Sequence, residues 1–176
     1  MLTALCADLD LSDPFDACIW AMAACTFWGL MRFGELSVKS RSTFDPGRHL
    51  THADADYGCN LNGKAFFHLN LQTAKTAQLG EVQQVHLAEQ GALCPHKALF
   101  NLAAIVPAEA TDPLFSWHDW RGCIQPMVRD RALERINGIL GHHGWGTTFR
   151  RSFRIGGASF LLSQGVSPEV VRIIGR

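Results

Sequence analysis

The stretch RRSFRIGGASFLLSQGVSPE, residues 150–169, joins an arginine cluster to two short predicted helices. Gly165 marks the end of the first helix, and Ser167-Pro168-Glu169 marks the start of the second. An arginine in the first turn of a helix, beside two glycines, places guanidinium donors next to free backbone N–H groups and the positive end of the helix dipole. The stretch therefore predicts a site for phosphate oxygens, although an exposed arginine-rich helix face would show the same pattern.

The charges of the chain are distributed unevenly along its length, although the formal net charge is zero. Residues 1–120 contain seven Lys and Arg against thirteen Asp and Glu, whereas residues 121–176 contain nine Arg and no Lys against three acids. Arginine favours bidentate contact with phosphate over general solvation. A neutral chain can therefore present a basic surface, as a nucleic-acid partner requires.

The length and composition predict a single domain, 1–176, with a sizeable core, since 47% of the 176 residues are hydrophobic. The apolar run 17–31 is too short for a membrane span and ends at Arg32, so it predicts a buried core helix from Pro14 to about Leu30, capped by Asp13. We expect no membrane partner. Six scattered cysteines without a C-x-x-C pair predict a reducing, intracellular compartment and no structural zinc.

The remaining pattern predicts a mixture of further helices, loops and one hairpin. In chain order, we expect an irregular loop at 44–63, strands near 67–71 and 84–87 joined by 73–80, a helix at 94–105, a turn at 112–117, a helix at 121–140 interrupted early by Pro126, and a glycine-rich loop at 141–146. Lys75 lies in the connection between the two strands. A lysine on a hairpin tip is usually only a solvated charge.

Several common sites are not predicted. His118, His142 and His143 lack the helical spacing that makes metal ligands converge, so we expect no metal. The sequence also contains no dinucleotide fingerprint and no G-x-S-x-G elbow. What remains is a set of cations: Arg32, Lys75, Arg151, Arg154 and Arg176.

The order of these cations resembles the catalytic domain of the tyrosine recombinases, the phage-integrase-like DNA breaking-rejoining enzymes. Arg32-Phe33-Gly34-Glu35-Leu36 matches the family's R-x-x-E-L pattern after a buried helix. Lys75 matches the hairpin lysine, and Arg154 matches the arginine of H-x-x-R. The segment around residues 152–169 looks most like recombinases of eukaryotic mobile elements, including the Crypton-like group.

The resemblance implies an α+β fold, a mainly helical catalytic core with a small antiparallel β-hairpin or sheet. It also implies double-stranded DNA as partner, no cofactor, a homo-oligomer on DNA in the full-length protein, and a nuclear location in a eukaryotic host. The arginines would clamp the scissile phosphodiester, Lys75 would protonate the leaving deoxyribose oxygen, and Glu35 would orient Arg32. A tyrosine would form a covalent 3′-phosphotyrosyl link.

The chain departs from the family pattern in three places. Arg151 stands where H-x-x-R has its histidine, and a guanidinium cannot act as a general base. Arg176 occupies the start of the next motif, in the slot for His or Trp, and the nucleophilic tyrosine is expected beyond it. Tyr57, the only tyrosine, precedes the hairpin, so we do not expect it to be the nucleophile. We expect residues 1–176 to be a fragment that lacks the N-terminal DNA-clamping domain and the nucleophile segment, and not to cleave DNA by themselves.

Two other functions fit the same residues. The first is a degenerate mobile-element domain that binds DNA without catalysis. The second is a helical interaction domain whose arginines pair with the acids of the first half. Phosphate contacts make DNA affinity fall steeply with salt, whereas the interaction domain would bind DNA weakly and without that dependence.

Overall fold

The computed structural model describes residues 1–72 and 82–176, which form six α-helices, five β-strands and three short 3-10 helices. The α-helices are α1 Leu2–Asp8, α2 Pro14–Trp28, α3 Pro95–Ile105, α4 Arg129–His142, α5 Ser152–Ser163 and α6 Pro168–Gly175. The strands are β1 Ala55–Cys59, β2 Ala65–Leu71, β3 Gln83–Ala88, β4 Ser116–His118 and β5 Ile124–Pro126. The predicted α+β class is confirmed.

Helix α2 lies at the centre of the fold, because every residue from position 16 to position 26 is buried. The Asp13 carboxylate accepts hydrogen bonds from the backbone N–H groups of Phe15 and Asp16, so the predicted N-cap is confirmed. The helix ends at Trp28, two residues before the predicted end, and Leu30 then takes a left-handed backbone conformation with φ of 46°. That turn redirects the chain from the core toward Arg32. None of the described helices is long and apolar enough to cross a membrane.

A three-stranded antiparallel sheet, in the order β1-β2-β3, packs one face against the helical core. The predicted alternation is confirmed in β2 and β3, where Leu69, Leu71, Val85 and Leu87 are buried. The loop predicted at 44–63 is wrong in part, because β1 pairs with β2 within it. As an edge strand β1 contacts one neighbour only and carries polar residues that mask the strand pattern.

A short hairpin replaces the first third of the helix predicted at 121–140. Strands β4 and β5 pair around a turn in which Gly122 has φ of 75° and the Asp119 carboxylate accepts from the N–H groups of Arg121 and Cys123. Pro126 ends β5, and α4 begins only at Arg129 and runs to His142, into the predicted loop. The helix prediction failed because proline and a left-handed glycine stop a helix that apolar spacing alone would allow.

Helix α5 lies against the C-terminal end of α2. A Cβ added to Gly157 would overlap the carbonyl oxygen of Phe27 and lie 2.8 Å from Cδ2 of Leu30. Gly157 therefore permits close helix packing, and the predicted role of the two glycines beside free N–H groups is wrong, because both lie inside α5. The predicted end of α5 and start of α6 are confirmed, since Gly165 just after α5 has φ of 81° and the Ser167 hydroxyl before α6 accepts from the N–H of Val170.

Candidate functional site

Glu35 is the centre of an ion-pair network that begins directly after α2. The backbone N–H of Arg32 donates to Oε2 of Glu35 at 2.7 Å, and Nη1 of Arg32 donates to Oε1 at 2.7 Å. The spacing of three residues in the 3-10 helix Phe33–Glu35 brings the two side chains together. The Glu35 side chain is only 8% exposed, so its charge is held largely out of water.

Arg176 approaches the same carboxylate from the C-terminal end of α6. Its Nη2 lies 3.1 Å from Oε2 of Glu35, and its side chain is 9% exposed. The two partners are 141 positions apart in the sequence. Glu35 therefore holds two arginines that are far apart in the sequence, and each of its oxygens accepts from a different guanidinium.

Arg154 lies beside this pair, in the first turn of α5. Its Nη2 donates to the carbonyl oxygen of Gly175 at 2.6 Å, which ties α5 to the end of α6. Burial lowers the pKa of Arg154, and the positive charges of Arg32 and Arg151 lower it further, while Glu35 acts in the opposite direction. We call Arg32, Arg154, Arg176 and Glu35 the arginine cluster.

The pKa of Arg176 is lowered for the same reasons as that of Arg154. Burial lowers the pKa of Arg176, Glu35 opposes that shift, and the charges of Arg154 and Arg32 add to it. Three guanidinium groups therefore lie near one carboxylate, which only Arg32 and Arg176 contact, so three positive charges face one negative charge in a partly desolvated space. An anion placed there would relieve this repulsion.

The cluster also contains buried donors that nothing in the described part of the chain satisfies. These are Nη1 of Arg154 and both Nε and Nη1 of Arg176. A buried donor without a partner costs about 1–3 kcal/mol, and more when it is charged. The arrangement thus offers N–H groups from two guanidiniums to a ligand with several acceptor oxygens, as a phosphate has.

The other predicted cations stand in different places. Arg151 is exposed immediately before α5, and its influence on the pKa of Arg154 places its charge near the cluster. Arg150 is exposed, and neither it nor Arg151 forms an ion pair within residues 1–72 and 82–176. Lys75 lies outside the described residues. Tyr57 lies on β1, where its ring centroid is 5.1 Å from that of Phe67 on β2 and 5.0 Å from that of Phe100 on α3.

A small polar cavity of about 110 Å³ adjoins the cluster on the sheet side. Glu35 lines it together with Arg48, His49 and Gln72. Gln72 directly follows the last residue of β2, so the cavity extends from Glu35 to the end of that strand.

Some contacts between the two halves of the chain were not predicted individually. Arg135 on α4 binds the buried carboxylate of Asp16 through two hydrogen bonds of 2.9 and 2.7 Å, and His143 contacts Asp8 at 2.6 Å. The pairing of basic-half arginines with acidic-half carboxylates therefore occurs at Asp16 and Glu35. Sequence offers no signal for it, since each pair is more than 100 residues apart.

Metal-ligand groups of three or more His, Cys, Asp or Glu residues do not occur in the described ranges. All six cysteines are free thiols. Three of them, Cys18, Cys25 and Cys94, are buried. Burial raises the pKa of the Cys18 and Cys25 thiols, so these two behave as inert core residues.

The fold is similar to that of solved FLP recombinase structures. An Flpe–Holliday junction complex matches this chain with a TM-score of 0.59, and an FLP recombinase–Holliday junction complex matches with a TM-score of 0.61, each at 12% sequence identity. Both comparisons cover 99% of this chain and 41% of the recombinase chain, so the chain spans about two fifths of the length of these structures. The sequence itself matches no protein-family model and no curated protein sequence.

Proposed function

We propose that the chain is the DNA-binding catalytic domain of a site-specific tyrosine recombinase, and that the arginine cluster holds a DNA phosphate. The observation that carries the proposal is the set of buried, unpaired guanidinium N–H groups on Arg154 and Arg176. The likeness to recombinases solved as Holliday junction complexes supports it, because the same fold is used on DNA in those proteins.

The chemistry of the cluster suits a phosphodiester in its reactive state. Negative charge builds up on the non-bridging oxygens when a nucleophile adds to phosphorus, and donors that are already in place stabilise that charge without reorganising. Loss of one such donor typically costs about 3–4 kcal/mol of transition-state stabilisation. Glu35 would act as a positioning residue, since it fixes Arg32 and Arg176.

The remaining roles follow from the sequence resemblance. We propose that a tyrosine outside the sequence described here attacks the phosphorus, and that Lys75 protonates the leaving deoxyribose oxygen. Arg151 would contact phosphate, because a guanidinium does not accept a proton as an imidazole does. Assembly as a homo-oligomer on DNA, integration, a Crypton-like mobile-element origin and a nuclear location in a eukaryotic host are part of this proposal and rest on the sequence resemblance.

Duplex binding at increasing salt concentration, followed by fluorescence anisotropy, tests the phosphate contacts. Each contact contributes about 0.9 to the slope of log affinity against log salt. Arg154→Gln is therefore expected to weaken binding to duplexes of any sequence and to reduce the slope by about one. Arg131→Gln is the matched control, because it removes the same charge from α4, where Arg131 pairs with Glu134 on an exposed surface. An equal loss in both variants would contradict the proposal.

DNA binding without catalysis is the second candidate, and the arginine at position 151 favours it. A version of the protein that carries the nucleophilic tyrosine segment distinguishes the two. Under the catalytic proposal a suicide DNA substrate traps a covalent protein–DNA adduct, and Arg151→His increases its yield. Duplex binding with no adduct in either version would leave DNA binding as the function.

A further inference from the structure

Two histidines are in direct cross-strand contact on the outer face of the three-stranded sheet. His68 on β2 is paired in register with His86 on β3, and Nε2 of His68 lies 2.8 Å from Nδ1 of His86. His68 is half-buried and His86 is exposed, so the pair can be reached from solution. Neither residue belongs to the arginine cluster.

Neighbouring side chains restrict the two imidazoles. The ring of Phe66 lies 4.6 Å from that of His68 and 5.0 Å from that of His86. In the next row of the same face, Gln84 donates to Asn70, and Asn70 donates to the carboxylate of Asp56, each at 3.0 Å. Packing and hydrogen bonds of this kind hold ligands in place before a metal binds.

We propose that His68 and His86 chelate one divalent late first-row transition-metal ion such as Ni²⁺ or Cu²⁺, for which imidazole nitrogens are suitable ligands. In the free protein the two ring nitrogens are 2.8 Å apart, the distance of a hydrogen bond, so both lie close enough to converge on one ion once the rings turn. This inference is independent of the proposed function.

Binding requires only a small rearrangement of the pair. Both rings turn so that their lone pairs converge on the ion, and the proton that lay between them moves, through solvent, to the outer nitrogen of its own ring. Water molecules fill the remaining coordination positions. Because the ligands come from adjacent strands, the ion would link β2 to β3 and stabilise their pairing.

Calorimetric titration of the tag-free protein with Ni²⁺ tests the site. One ion per chain is expected to bind. Removing a residue that only hydrogen-bonds to a metal ligand typically weakens metal affinity about 10–100-fold. Removing a ligand itself should cost at least as much, so His68→Gln and His86→Gln should each weaken Ni²⁺ binding by about tenfold or more. His142→Gln is the control, because it removes an exposed imidazole at the end of α4.

A second measurement does not depend on how the variants fold. Ni²⁺ is paramagnetic, so substoichiometric Ni²⁺ should broaden the NMR signals of β2 and β3 around His68 and His86 before any others. Broadening centred on His142 and His143 would overturn the proposal. So would equal Ni²⁺ affinity in the wild-type protein and in the His68→Gln/His86→Gln variant.

Discussion

Gly157 is the position where the smallest substitution is expected to damage the fold most clearly. The Cβ of Gly157→Ala would overlap the Phe27 carbonyl oxygen, lie 3.0 Å from the Phe27 carbonyl carbon and 2.8 Å from Cδ2 of Leu30. The leucine methyl can rotate, but the backbone of Phe27 cannot. Helix α5 must therefore shift away from α2, and it carries Arg154 with it.

The change in the free energy of unfolding caused by Gly157→Ala follows from two opposing effects. Overpacking of this kind typically costs about 1–3 kcal/mol. An alanine in a helix interior is favoured over glycine by about 0.5–1 kcal/mol. Gly156→Ala is the matched control on the same helix, since its Cβ would meet only the ring of Phe27, at 3.7 Å and 3.9 Å, which are ordinary contact distances. The control should be stabilised and Gly157→Ala destabilised, so that the two differ by about 1–3 kcal/mol.

Thermal unfolding followed by circular dichroism measures the difference. For a chain of this size, 1 kcal/mol corresponds to a shift in Tm of about 2–4 °C. Gly157→Ala should lower Tm by several degrees relative to Gly156→Ala, and its duplex affinity should fall because Arg154 is displaced. Equal Tm values for the two variants, or a higher Tm for Gly157→Ala, would refute the close packing of α5 on α2.

Three further outcomes are expected. Asp16→Asn should lower the free energy of unfolding by about 1–3 kcal/mol in chemical denaturation, because Arg135 loses the buried carboxylate that it contacts twice; an unchanged midpoint would contradict this. Glu35→Gln should lower Tm and also increase the rise in Tm that added sulfate produces, because the arginines keep their charge without their carboxylate; a smaller sulfate effect than in the wild type would count against an anion site. A thiol reagent at pH 8 should label Cys59 and Cys123 first, since both are exposed whereas burial raises the pKa of the α2 thiols; early labelling within α2 would contradict the assigned burial.

The parts of the fold that sequence predicted are those with local signals. Asp13-Pro14 and Ser167-Pro168 mark helix starts by satisfying backbone N–H groups within one turn, and both are observed. Alternation of apolar and polar residues gave β2 and β3, because one face of each is buried. Strand β1 and the β4–β5 hairpin were missed, because their pairing is decided by neighbours rather than by their own patterns.

In the candidate site, too, sequence predicts the local contacts and not the long-range ones. Arg32 and Glu35 are three residues apart, so their contact could be expected from spacing alone. The approach of Arg176 to Glu35 and the hydrogen bond from Arg154 to the Gly175 carbonyl depend on how α5 and α6 fold back onto the end of α2. A backbone acceptor has no signature in the sequence. Of the two neighbouring glycines in α5, only Gly157 is required for close packing on α2, and the sequence alone does not distinguish it from Gly156.

NMR of the arginine side chains shows whether the buried N–H groups of Arg154 and Arg176 bind a DNA phosphate. In the free protein the Nε–H of Arg176 has no partner among the described residues. On addition of a DNA duplex, this signal and those of the Nη1 protons of Arg154 should shift and exchange more slowly with water, while the signals of Arg131 should not change. Unchanged Arg154 and Arg176 signals under conditions where the duplex is bound would contradict phosphate binding by these two arginines.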